Sequence, residues 1–324
     1  MMKRTATVLI LAAAGAALPV AEVAAQAFPA KTIRLIAPFP PGGSVDVVGR
    51  MVAVRLSETL GQQVVVDNRS GASGNIGTEF VMNAAPDGYT LLINTIPLVV
   101  NQYLLTRVPY DAVKDFAQVM LISSSPSILT VHPSVPARSV KELIALAKSK
   151  PGALNYSGAG IGTNPHIAGE LFNLLAKVNI VAVQYKGGGP ADLAVMGGEV
   201  ALSFPNISQA INYVSSNRLR ALGVTSVKRS TAMPELPTIV EAGVPDYEFI
   251  TWHGILAPKG TPRPVVMLLN ERLKKILGTP AEAQFYRERG LDIIASSPEE
   301  FAVHLETEQK KWGRVIRERG IKAE

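Results

Sequence analysis

Ile33-Arg34-Leu35-Ile36-Ala37-Pro38-Phe39-Pro40-Pro41-Gly42-Gly43-Ser44-Val45-Asp46 (residues 33–46) reads as a strand, a sharp turn and the start of a helix. The apolar, β-branched run at 33–37 favours a buried extended segment, and Pro-Pro-Gly-Gly ends it. Downstream, Val45, Val48, Val52, Leu56 and Leu60 recur at spacings of three and four, which predicts a helix with one buried stripe. Gly61 supplies its left-handed stop. A strand feeding a glycine turn and then a helix is the repeating unit of an α/β fold.

The pattern continues along the chain. Further strands are expected at Gln63 to Asp67, Thr90 to Thr95, Val119 to Ile122, Ile128 to Val131, Leu154 to Ser157, Val181 to Tyr185, Val200 to Phe204 and Leu219 to Thr225. Strands alternating with helices predict parallel sheets covered on both faces. Ser139-x-x-Glu142, Thr279-x-x-Glu282 and Ser297-x-x-Glu300 fit capping boxes, the last two with Pro at the first helical position. Phe301, Leu305, Glu308, Trp312, Val315 and Ile316 give a last helix that ends near Gly320. Ser123 to Pro126 and Pro245 to Lys259 read as crossings between two domains. The expected first domain is therefore discontinuous, 28–125 plus 250–324, with a second domain at 126–249.

The N-terminus addresses the chain outward. Lys3 and Arg4 precede an uncharged apolar run from Ala6 to Val20, and Ala25-Gln26-Ala27 offers a small-residue cleavage site. This is the layout of a signal peptide over 1–27, with cleavage after Ala27 and release into the periplasm. The run is shorter than the roughly 20 residues of a spanning helix. With no Cys the chain has no disulfide, no thiolate site and no lipid on an N-terminal Cys. Its 47% apolar composition fills two cores. The net charge of +6 falls by one unit when the signal is removed, an excess that mildly favours anionic ligands. Lys310, Lys311, Arg314, Arg317, Arg319 and Lys322 form a basic stretch, but Glu306, Glu308 and Glu318 are mixed into it. That is a solvated helix face, not a nucleic-acid surface.

Chemistry concentrates in glycine loops. A helix start leaves its first N–H groups free and carries partial positive charge, so the 38–46 turn offers an anion site without an arginine. The alternative is a capped turn, with Ser44 or Asp46 satisfying those same amides. Asp46 cannot touch a carboxylate, because like charges near 4 Å repel by at least about 1 kcal/mol even in water. Loop amides, water or a ligand ammonium group are its expected partners. Leu154 to Pro165 repeats the device through Gly158, Gly160 and Gly162 before a helix start at Thr163-Asn164-Pro165. Two such loops in opposed domains would clamp one small carboxylate. Lys186-Gly187-Gly188-Gly189-Pro190 is a third glycine turn, with Lys186 either near the cleft or at the surface. Neither nucleotide motif is present: Gly-Lys-Ser/Thr is missing and the glycine spacing does not fit the dinucleotide fingerprint. His132, His166, His253 and His304 are the only histidines, without His-Glu-x-x-His or Gly-x-Ser-x-Gly. His166 and Glu170 stand one turn apart, but two ligands make a poor metal site. A hydrogen-bonding role suits His166 better, and no cofactor or metal is expected.

PFPPGGSVDVVGR (38–50), DNRSGASGNIG (67–77), APDGYTLL (85–92), GIGTNPHIAGELF (160–172), YKGGGPA (185–191), RALGVTS with KRS (220–230) and ELPTIVEAGVP with APKGTP (235–262) occur in that order. Together they resemble the tripartite tricarboxylate transporter substrate-binding family, also called the Bug family of extracytoplasmic solute receptors, over nearly the whole mature chain. The resemblance implies a two-domain, periplasmic-binding-protein-like α/β fold closing on a carboxylate held largely by backbone amides, and no enzymatic activity. Carried over by position, the first loop offers Phe39, Gly42, Gly43, Ser44 and Asp46, and the second Ser157, Gly158, Gly160, Gly162, Thr163 and His166. Asn94, Thr95 and Asn206 join them at strand ends. The chain departs from the family pattern at Gly158, often Ser in relatives, and at Ser70, Ala201 and His253. His253 is expected to pack beside the hinge. The expected partners are a small carboxylate and, transiently, membrane transporter subunits, with the receptor itself a monomer. A sensory receptor and a periplasmic hydrolase are the alternatives.

Overall fold

Ile33, Leu35, Ile36 and Ala37 are fully buried, because the strand they form lies inside a sheet and carries helices on both faces. The computed structural model describes residues 28–321. The signal peptide expected over 1–27 lies outside the described residues. The chain begins β1 (Ile33–Ala37), α1 (Ser44–Leu60), β2 (Val64–Asn68), α2 (Asn75–Met82), β3 (Thr90–Asn94), α3 (Pro97–Leu104) and β4 (Phe116–Pro126). It then crosses into β5 (Ile128–Val131), α4 (Val140–Ser149), β6 (Asn155–Gly158), α5 (Asn164–Ala176), β7 (Val181–Gln184), α6 (Gly188–Met196), β8 (Leu202–Ser203), α7 (Ile207–Ser215) and β9 (Arg220–Val224). It returns with β10 (Ile250–Pro258), α8 (Arg263–Leu277), α9 (Pro280–Arg287), β11 (Asp292–Ile293) and α10 (Pro298–Arg319).

Two sheets result, a six-stranded one in the order β11-β4-β10-β3-β1-β2 and a five-stranded one in the order β7-β6-β8-β5-β9. The expectation of parallel sheets needs correction. β1 pairs in parallel with β2 and β3, and β6 with β7 and β8, but β10 runs antiparallel to β3 and β4, and β5 to β8 and β9. The antiparallel pairs arise where the chain enters or leaves a half through a long excursion instead of a helical crossover.

The stretch expected as a bare crossing at 245–259 is, from Ile250 to Pro258, a central strand. Thr251 to Pro258 are buried on both faces, so no alternation marked it. β4 and β10 pair from Phe116↔Pro258 to Pro126↔Ile250, which lays the two crossings side by side as one antiparallel ribbon. Gly254 is needed there, since a Cβ would stand 2.1 Å from the Phe301 ring on α10.

The α1 stripe behaves as its spacing predicts: Val45, Val48, Val52 and Leu56 are buried, and Gly61 ends the helix at φ 64°. Of the three capping boxes only Ser297 with Glu300 is reciprocal. Ser139 and Thr279 cap their helices, but Glu142 turns to the Arg138 N–H and Glu282 to Arg55. On α10, Trp312 is core, as expected. The buried Glu308 accepts both indole N–H groups, from Trp252 at 3.1 Å and Trp312 at 2.9 Å. Phe249 stacks on Trp312 with centroids 5.8 Å apart, so the apolar core runs on beneath the ribbon from one half to the other.

Candidate functional site

The space between the sheets narrows to a cavity of about 500 Å³ including its mouth. One wall is Phe39, Gly43, Ser44, Val45, Thr95 and Pro97; the other is Ala159, Thr163, Asn164, Pro165, Gly188, Asp192, Pro205, Asn206 and Gln209. Five helices begin at these walls: α1 at Ser44, α3 at Pro97, α5 at Asn164, α6 at Gly188 and α7 just after Asn206. Only α7 has a side-chain cap, from Asn206 to the Ser208 N–H at 3.1 Å. The other four have none. Each of these starts carries roughly half a positive charge, and α1, α5 and α6 also keep unpaired N–H groups, whereas at α3 Pro97 has no N–H and Leu98 and Val99 donate to the Thr95 and Ile96 carbonyls at 2.9 and 3.0 Å. No Lys, Arg or His lines the cavity among the described residues. The side chains of Thr95 and Asn164 add buried polar atoms, Oγ1 and Oδ1, without a partner. Such atoms cost stability unless something satisfies them.

The first loop is braced from behind. Asp46 is 4% exposed and accepts the Gly42 N–H at 3.0 Å, Asn68 Nδ2 at 3.0 Å and Arg50 Nε at 3.1 Å. Asn68 also donates to the Phe39 carbonyl at 3.0 Å. Burial works against the Asp46 carboxylate, but Arg50, the Gly42 N–H and Asn68 together hold its pKa below the usual value. The charge is thus spent inside the loop, and the α1 amides stay free for a ligand. The second loop is built from its own glycines. Gly160 and Gly162 take φ of 117° and 77°, which L side chains rarely adopt. The Thr163 hydroxyl donates to the Gly160 carbonyl at 2.6 Å, and the Gly162 N–H donates to His166 Nδ1 at 3.1 Å. Accepting that bond requires neutral imidazole. Burial supplies it by pushing the His166 pKa down to about 4.

Residues 48–321 match the family described as "Tripartite tricarboxylate transporter family receptor". The chain belongs to this family. It is similar to protein BugT of Bordetella pertussis, with 36% identity over 97% of this chain and 96% of that one. Among solved structures it is similar to R. palustris Rpa4515 with adipate: 37% identity, TM-score 0.89, covering 91% of this chain and 99% of that one. The periplasmic binding protein BugD superposes at TM-score 0.87 with 30% identity, covering 91% and 99%. The architecture is accordingly the two-domain periplasmic-binding-protein-like fold. Family and fold are those of solute-binding receptors, not of catalysts.

In this family member, Phe39, Gly43, Ser44, Thr95, Thr163 and Asn206 stand on the cavity wall, six of the residues singled out from sequence. The others do not line it. Gly42 turns the first loop at φ 85°. Asn94 is buried, donating to Thr78 Oγ1 at 3.0 Å and accepting the Thr95 N–H at 2.8 Å. Ser157 is fully buried with its Oγ unpartnered. A Cβ at Gly158 would fall 2.2 Å from Gln184 Oε1, so glycine here makes room for the side chain that accepts the Gly160 N–H at 3.2 Å. His253 is fully buried in β10, 3.5 Å from Ser123 Oγ, and is not on the wall. Burial pushes its pKa down to about 3. Lys186 does not line the cavity but an adjoining pocket with Tyr185, Pro38 and Ser70, which shares Phe39 and Ala159 with the cavity wall.

The structure adds residues that sequence reasoning missed: Val45, Pro97, Ala159, Asn164, Pro165, Gly188, Asp192, Pro205 and Gln209. The third glycine turn was the available signal for Gly188 and Asp192, because an acid in the otherwise apolar run Pro190 to Met196 is out of place on a core-facing helix. Asp192 is 2% exposed, and burial pushes its carboxyl up to about 7 although a hydrogen bond from Gln209 opposes the shift.

Proposed function

We propose that this receptor is exported to the periplasm, captures a small organic carboxylate in the cavity and presents it to the membrane subunits of a tripartite tricarboxylate-type transporter. The observation that carries the reading is the convergence of five helix starts, four without side-chain caps, on a cavity free of basic side chains among the described residues. An anion is the ligand such a lining satisfies. The adipate in the similar R. palustris protein supports the same ligand class.

In this account Phe39, Gly43, Ser44, Thr95, Thr163 and Asn206 meet the ligand. Gly42, Asp46, Asn94, Ser157, Gly158, Gly160, Gly162 and His166 set the shape and rigidity of the surrounding loops. Residues 28–125 with 250–324 move as one domain and 126–249 as the other, turning about the β4–β10 ribbon. Asn206 ties the ligand wall to that ribbon by donating to Ser125 Oγ at 2.7 Å. Glycines allow the closed approach: a Cβ at Gly187 would lie 2.7 Å from the Pro40 ring, and one at Gly189 3.3 Å from the Pro41 carbonyl. Closure draws its free energy from contacts that exist only in that state. The receptor works as a monomer.

A thermal-shift panel of small acids, followed by small-angle scattering with each binder, tests the proposal. An acid at 100 times its Kd adds about 2.7 kcal/mol of stability and compacts the protein. Saturating binding without compaction contradicts the capture mechanism, and a panel with no binder contradicts the carboxylate reading.

A further inference from the structure

The inventory of hydrogen-bonding groups around the cavity is lopsided in a way a plain carboxylate does not resolve. A carboxylate needs donors, and the free starts of α1 and α5 provide them. The second wall also presents acceptors without donors. Asn164 Oδ1 is buried without a partner. Asp192 takes its hydrogen bond from Gln209 Nε2 through Oδ2, which leaves Oδ1 to be satisfied. No cation pairs with Asp192 among the described residues. Gln209 spends an N–H on Asp192 and keeps its own carbonyl oxygen as a further acceptor.

We infer that the ligand carries a protonated amine as well as a carboxylate, and that Asp192, with Gln209 and Asn164, is the anchor for the amine. The inference rests on the receptor reading above and narrows its ligand to an amino acid or another small amino acid-like zwitterion. An ammonium group brings three N–H donors to a wall with unpaired acceptors, and one positive charge to a buried carboxylate that has none. Asp46, the other acid near the cavity, is already occupied by Arg50, Gly42 and Asn68 and has no free position for an amine. The raised pKa of Asp192 fits the same picture, since a carboxylate buried without a counter-charge resists ionisation until a cation arrives.

Calorimetry on the mature protein tests this with matched pairs that differ only in the amine: butanoate against 4-aminobutanoate and 2-aminobutanoate, glutarate against glutamate, adipate against 2-aminoadipate. In at least one pair the amino member should bind more tightly by about tenfold or more, the scale of one charge-assisted hydrogen bond. Asp192→Asn keeps the shape, removes the charge and should erase that preference. Plain acids binding as tightly as or more tightly than their amino partners in every pair overturns the inference while leaving the carboxylate receptor intact. An amino preference that survives in Asp192→Asn overturns the role of Asp192. Failure of every compound, plain or amino, overturns the receptor reading itself. Melting curves of the variant without ligand confirm folding, and the wild-type ratios decide the ligand class independently of the variant.

Discussion

Asp46 and Asp192 are both buried carboxylates near the start of a helix that follows a glycine-rich loop, but their surroundings differ. Asp46 has a guanidinium, a backbone N–H and an amide around it, and its pKa falls. Asp192 has one amide, and its pKa rises to about 7. The first carboxylate completes the protein; the second awaits a partner. Residue type and spacing do not separate a structural acid from a recognition acid. The count of satisfied lone pairs does.

The comparison breaks most visibly if Asp46 is removed. Asp46→Ala strips the partner from Arg50, the Gly42 N–H and Asn68 together, so denaturant unfolding should show a loss of about 3 kcal/mol. A loss as small as that of an ordinary surface substitution would mean the brace does not matter. Gly162→Val tests the second loop. Its φ of 77° disfavours a β-branched residue, and a Cβ there would lie 2.5 Å from Asn101 Oδ1 across the cleft. Affinity for the best acid should fall by about a hundredfold, with less compaction in scattering.

Asp192→Asn should act oppositely to Asp46→Ala on the unliganded protein. The folded pKa of Asp192 lies above its unfolded value, so between about pH 4 and 7 the folded state holds the extra proton and this residue's contribution falls as pH rises. At pH 8 the variant should therefore be more stable than wild type by on the order of 2 kcal/mol. His166 supplies the opposite slope. Its folded pKa is depressed to about 4, so its contribution is present above about pH 6.5 and is lost as pH falls toward 4. Stability-pH curves of Asp192→Asn and His166→Asn should accordingly differ from wild type with opposite signs. Lys186→Ala is the small-effect control. Lys186 lines the pocket that adjoins the cavity through Phe39 and Ala159 and not the cavity itself, so its charge acts only at a distance and affinity should change by less than about fivefold.

Much of the fold was legible because local chemistry and tertiary role agree along the first 60 residues of the described chain. The β1 run, the Val45–Leu60 stripe and the Gly61 stop each have one physical reading, and each forms. Thr251 to Pro258 was not legible as a strand, since full burial on both faces removes the alternation that announces one. Antiparallel pairing was hidden for another reason: it depends on where the excursion through the second half returns, not on any short segment. At the cavity, the glycine loops were legible because glycine has few other uses before a helix. Gln209 was not, because facing a cavity is set by how α7 docks and leaves no local trace, and for Asp192 the one local sign was an acid in an apolar run after a glycine turn. The same holds for Asp46, whose loop location was plain but whose partners Arg50 and Asn68 come from α1 and β2.

The most direct test is a crystal structure with the tightest-binding acid from the matched pairs. The account predicts a carboxylate within about 3 Å of backbone N–H groups at the starts of α1 and α5, with no Lys, Arg or His touching it. A carboxylate paired to a basic side chain, or seated outside the walls formed by Ser44 and Asn164, would contradict it.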